Sequence, residues 1–145
     1  MATYQKFNQF VEDLATGVHD LSTDTLKFYL TNATPDAAAD AVKADLAEIA
    51  GGNGYTAGGV TPAITSAEQT GGTFKLVLAD PAVITASSGS IGPFRYVVLY
   101  NDTPTSPADP LILYYDYGSE ITLAEDESLN LNFDAAGIAT KTVAA

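Results

Sequence analysis

From about residue 60 onward the chain consists of short apolar stretches separated by turn residues, and few folds accept that spacing. Phe74, Leu76 and Leu78 alternate with Lys75 and Val77, while Leu129, Leu131 and Phe133 form the cleanest alternation in the chain. A period of two puts every second side chain on the same face of a strand. Phe94-Arg95-Tyr96-Val97-Val98-Leu99-Tyr100 is apolar on both faces, as is Leu111-Ile112-Leu113-Tyr114-Tyr115. Both are expected as central strands buried on each side. Pro81-Ala82-Val83-Ile84-Thr85 and the pair Ile121 and Leu123 read as shorter strands. Turn signals divide these runs at Thr70-Gly71-Gly72, Ser88-Gly89-Ser90, Asn101-Asp102-Thr103-Pro104, Tyr117-Gly118-Ser119 and Ala135-Ala136-Gly137. About seven short strands at this spacing predict an antiparallel β-sandwich, with a jelly roll as one such arrangement, over about residues 60–142.

The N-terminal part has a different period. Phe7, Phe10, Val11, Leu14, Val18 and Leu21 recur at steps of three and four, which predicts an amphipathic helix over about residues 4–16. Thr3 is its expected cap and Gly17 its expected stop. Leu26, Phe28 and Leu30 then alternate within 25–31, a half-buried strand that joins the sandwich. Thr34-Pro35 opens an alanine-rich segment with Val42, Leu46 and Ile49 on one side. This reads as a second short helix over about 36–50, although Asp36, Asp40 and the alanine run also fit a loop. The whole is a mainly β (α+β) fold in one domain, 1–145, and Thr103–Pro110, with three prolines, is a surface loop within it.

With 46% hydrophobic and 17% charged residues, the chain can bury a core without staples, and it has no cysteine to supply disulfides or thiolate chemistry. No secretory signal or run of membrane-spanning length is visible, so a soluble protein is expected. The net charge of −12, with the basic residues scattered singly, opposes binding to nucleic acid or an anionic membrane. No metal, cofactor or catalytic set stands out. The one histidine, His19, follows a helix end, which favours a surface or helix-end residue over a Ser-His-Asp member. The run from Gly51 to Gly59 lacks the Lys-Ser/Thr ending of a phosphate loop and reads as a mobile connection anchored by Tyr55. Glu125-Asp126-Glu127 reads as a solvated turn, without the spacing of a calcium loop. The chain is therefore not expected to be an enzyme.

Two structural expectations follow. A hairpin pairing residue 100 with 111 sets Arg95 opposite Asp116, in a salt bridge that fixes register. The eight tyrosines exceed what a core alone asks for and suggest an interface, with Tyr4, Phe7, Tyr55 and Tyr114 as its candidate residues.

The order of several short motifs carries a resemblance. Tyr4-Gln5-Lys6-Phe7-Asn8-Gln9-Phe10-Val11-Glu12-Asp13-Leu14 leads to Gly17-Val18-His19-Asp20-Leu21, Asp24-Thr25-Leu26-Lys27 and Leu30-Thr31-Asn32. Ala44-Asp45-Leu46-Ala47-Glu48-Ile49-Ala50, Gly52-Asn53-Gly54-Tyr55, Gly92-Pro93-Phe94-Arg95-Tyr96, Leu99-Tyr100-Asn101-Asp102 and Asp116-Tyr117-Gly118-Ser119 complete it. Over nearly its whole length the chain resembles small tailed-bacteriophage virion proteins encoded near the major capsid protein, and among these it is most similar to capsid decoration (cement) proteins. The resemblance implies a virion protein made in the host cytoplasm, bound to the major capsid protein on the capsid surface, with self-association as a dimer or trimer. It names no binding residues. A head-fibre or tail appendage that contacts a host surface or glycan is the alternative, and a small hydrolase using His19 or a carboxylate pair is a third reading.

Overall fold

Consecutive apolar residues in the two longest strands require cover on both faces, and the fold is organised around that need. A computed structural model describes residues 3–142. Its elements in chain order are β1 (Tyr4–Lys6), α1 (Asn8–Ala15), β2 (Leu26–Thr31), β3 (Ile64–Thr70), β4 (Thr73–Leu78), β5 (Ile84–Thr85), β6 (Ile91–Asn101), β7 (Leu111–Leu123), β8 (Ser128–Leu129) and β9 (Ile138–Thr142). The strands form a central sheet ordered β1-β7-β6-β2, a three-stranded sheet β3-β4-β9 and a ribbon β5-β8, and every named pairing is antiparallel. The protein is mainly β.

Alternation along β2, β6 and β7 sends side chains into two separate cores. Leu26, Phe28, Leu30, Val97, Leu99 and Leu113 pack with Leu76 and Leu78 of β4, Ile84 of β5 and Ile138 of β9. On the opposite face Tyr29, Tyr96, Val98, Tyr100, Leu111 and Tyr114 pack with Phe7 and Leu46. Each large side chain buried in this way contributes about 1.5–3 kcal/mol, so the central sheet is held from both sides. β2 was expected to be half-buried. Its Tyr29 and Thr31 are as buried as Phe28, because the segment after β2 folds back over that face.

That segment is not the expected helix 36–50. Asp36 Oδ1 accepts from the N–H groups of Ala38 and Ala39, Asp40 Oδ2 from that of Asp36, and Asp45 Oδ2 from those of Ala41 and Val42. These carboxylates capture main-chain donors locally and compete with a helical ladder. Two further donors reach other segments: Lys43 N–H bonds Asp109 O, and Ile49 N–H bonds Leu30 O. Only a single 3-10 turn, Lys43–Asp45, remains in a strap that lays Leu46 on the sheet.

The N-terminal helix is also shorter than expected. Tyr4–Lys6 pair with Tyr115–Leu113 as an edge strand, so the helix starts at Asn8 after Phe7, without a side-chain cap from Thr3. It ends at Thr16, whose N–H bonds Glu12 O, and Gly17 follows at φ +83°. Phe10 and Leu21 are buried as the stripe requires, whereas Val11 is exposed.

The β6–β7 register is irregular in three places, two of which bear on the Arg95–Asp116 pairing. Tyr100 pairs with Leu111 but Leu99 with Leu113, so Ile112 is an extra residue and Asp116 stands opposite Tyr96. Arg95 is thus not directly opposite Asp116, contrary to the expected register. Next, Phe94 pairs with Ile121, so Tyr117–Glu120 bulge outward and the turn signal at Gly118 bends β7 without ending it. The alternating run 129–133 was expected to be a strand, yet only Ser128–Leu129 are paired, with β5.

Candidate docking surface

Among the four aromatic residues put forward for an interface, Phe7 and Tyr55 are buried within the chain's own cores and have no surface left for a partner. Tyr114 is almost as deeply placed and hydrogen bonds Gln5 Oε1, while Tyr4 packs edge-on against Tyr115 at 6.0 Å. Partial exposure leaves only Tyr4 in the expected role. Four of the eight tyrosines, Tyr29, Tyr96, Tyr100 and Tyr114, pack in the second core.

Tyr55, which is buried in the first core, shows what covering a phenol requires. Its Oη donates to Glu48 Oε1 at 2.7 Å and accepts from Leu30 N–H at 3.0 Å. Glu48 also accepts from Gly58 N–H at 2.7 Å and pairs with Lys43 Nζ at 2.7 Å. The Lys43 ammonium lies 5.0 Å from the Tyr29 ring centre and 5.6 Å from that of Tyr100, within cation–π range. Tyr100 Oη donates to Gly58 O at 2.9 Å. Burial, followed by the Glu48 carboxylate, pushes the Tyr55 phenol far above its usual range, so it stays a neutral donor. The Gly51–Gly59 connection is clamped to the sheet. Sequence reasoning identified Tyr55 as the anchor but missed Glu48, which a helical reading of 36–50 sends to solvent.

Arg95 Nε and Nη2 donate to the two Asp116 oxygens at 2.8 and 2.9 Å, and the guanidinium lies over the Tyr96 ring at 5.3 Å. The hydrogen bonds from Arg95 hold the Asp116 carboxyl below the usual carboxylate range. Both side chains are about 40% exposed (39% and 40%), so solvent screens the pair.

Of the two expected placements, surface or helix end, His19 takes neither fully: it follows the end of α1 but is buried. Asn101 Nδ2 lies 3.1 Å from His19 Nδ1 and donates to Asp24 Oδ2 at 2.6 Å, while Asn101 Oδ1 accepts from Thr103 N–H. Buried Asp13 accepts from Gln9 through Oδ1, and its Oδ2, like His19 Nε2, has no hydrogen-bond partner among the described residues. Desolvation lowers the His19 pKa, partly opposed by the charges of Asp13 and Asp24. The cluster joins α1 and the turn after it to the end of β6. No group of three or more metal-ligating side chains is gathered among the described residues, and no described helix is long and apolar enough to cross a membrane.

An apolar groove of about 200 Å³ lies between the β6–β7 sheet and the chain after β8. Phe94, Val97, Tyr115 and Tyr117 form one wall, and Leu129, Leu131 and Phe133 form the other. Phe133 stacks on Phe28 at 4.4 Å, which ties the second wall to the core. Tyr117 is 60% exposed, carried outward by the β7 bulge. The sequence signal for it was an aromatic residue beside Gly118 inside an apparent turn. Compared with family models, curated proteins and solved structures, the chain matches none.

Proposed function

We propose that this chain is a structural virion protein, a bacteriophage capsid decoration protein that binds the major capsid protein lattice on the outer face of the head and stabilises it. The observation that carries the reading is the aromatic groove mounted on a sheet buried on both faces. Exposed apolar surface on a stiff support lowers the ordering cost of association, and aromatic residues dominate such contacts. The resemblance of the chain's motifs to tailed-phage virion proteins supplies the partner. The two cores fit a β-sandwich as the finer description of the fold, with the β3-β4-β9 sheet as the second layer.

In this reading the chain has no catalytic role. Its polar side chains secure its own segments, as Glu48 does for Gly58 and Asn101 for Thr103. The net charge of −12 keeps the surface away from packaged nucleic acid and from anionic membranes. Repeated over a lattice, weak contacts sum to a large stabilisation, and self-association as a dimer or trimer would extend it. Particle stoichiometry tests the reading. Quantitative mass spectrometry of purified virions is expected to find this chain in numbers comparable with capsid subunits. A few copies per particle would instead identify a head-fibre or tail part, and none would remove the virion assignment.

A further inference from the structure

Asn130, Leu131 and Asn132 line the groove, and neither their main-chain groups nor their side chains hydrogen bond to any other described residue. Their side chains nevertheless alternate between exposed and half-buried, as in a strand, with Leu131 turned towards the core. Unsatisfied main-chain donors and acceptors beside an apolar trough form the edge to which an extended peptide adds as a strand. β8 ends one residue before this stretch, and Phe133 N–H is held by Asp80 Oδ1 at 2.8 Å just after it, so the open edge is fixed at both ends.

Charge selects the occupant. Between Arg95 and Lys141 the chain has no Lys, Arg or His but eight Asp and Glu residues. Glu125, Asp126 and Glu127 precede the open stretch and Asp134 follows it, close enough to raise the Tyr115 phenol pKa further after burial. Arg95, next to Phe94 on one wall, is already paired with Asp116. A second copy of this chain would bring the same excess of acid to a stretch already flanked by acids, which disfavours self-pairing there.

We infer that the groove is a β-augmentation site for an extended segment of the partner, apolar at alternate positions and flanked by lysine or arginine. This deepens the docking reading and rests on it for the partner's identity. The alternate side chains enter between Tyr117 and Leu131, the peptide's main chain pairs with residues 130–132, and its basic ends meet Glu127 and Asp134.

The test uses the purified full chain and fluorescein-labelled synthetic peptides read by anisotropy. One peptide alternates valine and threonine between paired lysines, a second carries paired glutamates instead, and a third is the lysine form with its central amides N-methylated. The lysine peptide is expected to bind, with the other two weaker by about tenfold or more. Tyr117→Ser, at a position exposed enough to leave folding intact, is expected to weaken it by about the same factor. No binding of the lysine peptide, equal binding of all three, or binding unchanged in Tyr117→Ser would overturn the inference. Shells lacking the protein separate this from the docking reading. Wild type and Tyr117→Ser binding them equally removes the groove and leaves docking standing, whereas neither binding removes docking and the inference with it.

Discussion

Protonation of His19 is the perturbation whose cost follows most directly from the geometry. Asn101 is oriented by two contacts that cannot be reversed: its Nδ2 must donate to the Asp24 carboxylate, and its Oδ1 must accept from Thr103 N–H. His19 Nδ1 therefore accepts from Nδ2, and the native ring is the neutral tautomer with its proton on Nε2. A proton added at Nδ1 would set two N–H groups against each other inside the core. Since the native pKa lies below the ordinary 6.5, the unfolded chain takes up a proton that the native state refuses, and stability falls as pH falls from about 6.5. A ring that stays neutral throughout costs about 1.4 kcal/mol of stability between about pH 7.5 and about pH 5.5. Urea denaturation followed by tyrosine fluorescence at a series of pH values measures this directly. His19→Asn keeps an acceptor for Asn101 but does not titrate, and its profile should be flat over that window. The carboxylates held low by hydrogen bonds, Asp20, Asp45 and Asp116, lose their contribution only near and below their ordinary 3.8, so the two windows do not overlap. A wild-type profile that is flat from about pH 7.5 to about pH 5.5, or a His19→Asn profile equally steep, would refute the tautomer argument.

Removing the carboxylate in Glu48→Ala orphans Gly58 N–H and Tyr55 Oη and unpairs Lys43; with Lys43 partly solvated, the expected loss is about 2–4 kcal/mol by urea denaturation, and Glu48→Gln should lose less than half of it. Gly59→Ala places a Cβ 1.8 Å from Phe28 O at φ +84°, so the bridge between Phe28 and Val60 has to open, at about 2–3 kcal/mol or more. Gly71→Ala meets nothing within 4 Å, and its smaller loss should report the left-handed backbone alone. Arg95→Ala and Asp116→Ala are expected to leave the unfolding midpoint within measurement scatter, because the pair is exposed and the register is set by two cores; a large shift in either would restore a register role to the pair.

The strands were legible in the sequence wherever packing alone determined them. Phe94–Tyr100 and Leu111–Tyr115 are apolar on both faces, and only a position between two layers satisfies that pattern. Segments whose fate depends on a partner strand or a carboxylate were not legible. Tyr4–Lys6 carries the helical stripe's period, but the open edge of β7 draws it into the sheet. Asp45 looks like a surface position of a helix, yet its Oδ2 bonds the Ala41 and Val42 N–H groups that helix would have used. Leu129–Phe133 has the pattern of a strand but finds a partner only at its first residue, and the groove arises from that mismatch. Buried His19 and clamped Glu48 depend on residues 82 and 10 positions away in sequence, Asn101 and Gly58, which no local pattern could supply.

The central claim is that folding free energy goes into a rigid acidic body whose aromatic groove docks on a shell. Cryo-electron microscopy of virions made with and without this chain, paired with a heat challenge of the same particles, tests it most directly. The account predicts regular outer-surface density that vanishes with the chain, and shells that then open at lower temperature. Identical shells, with identical resistance to heat, would contradict it.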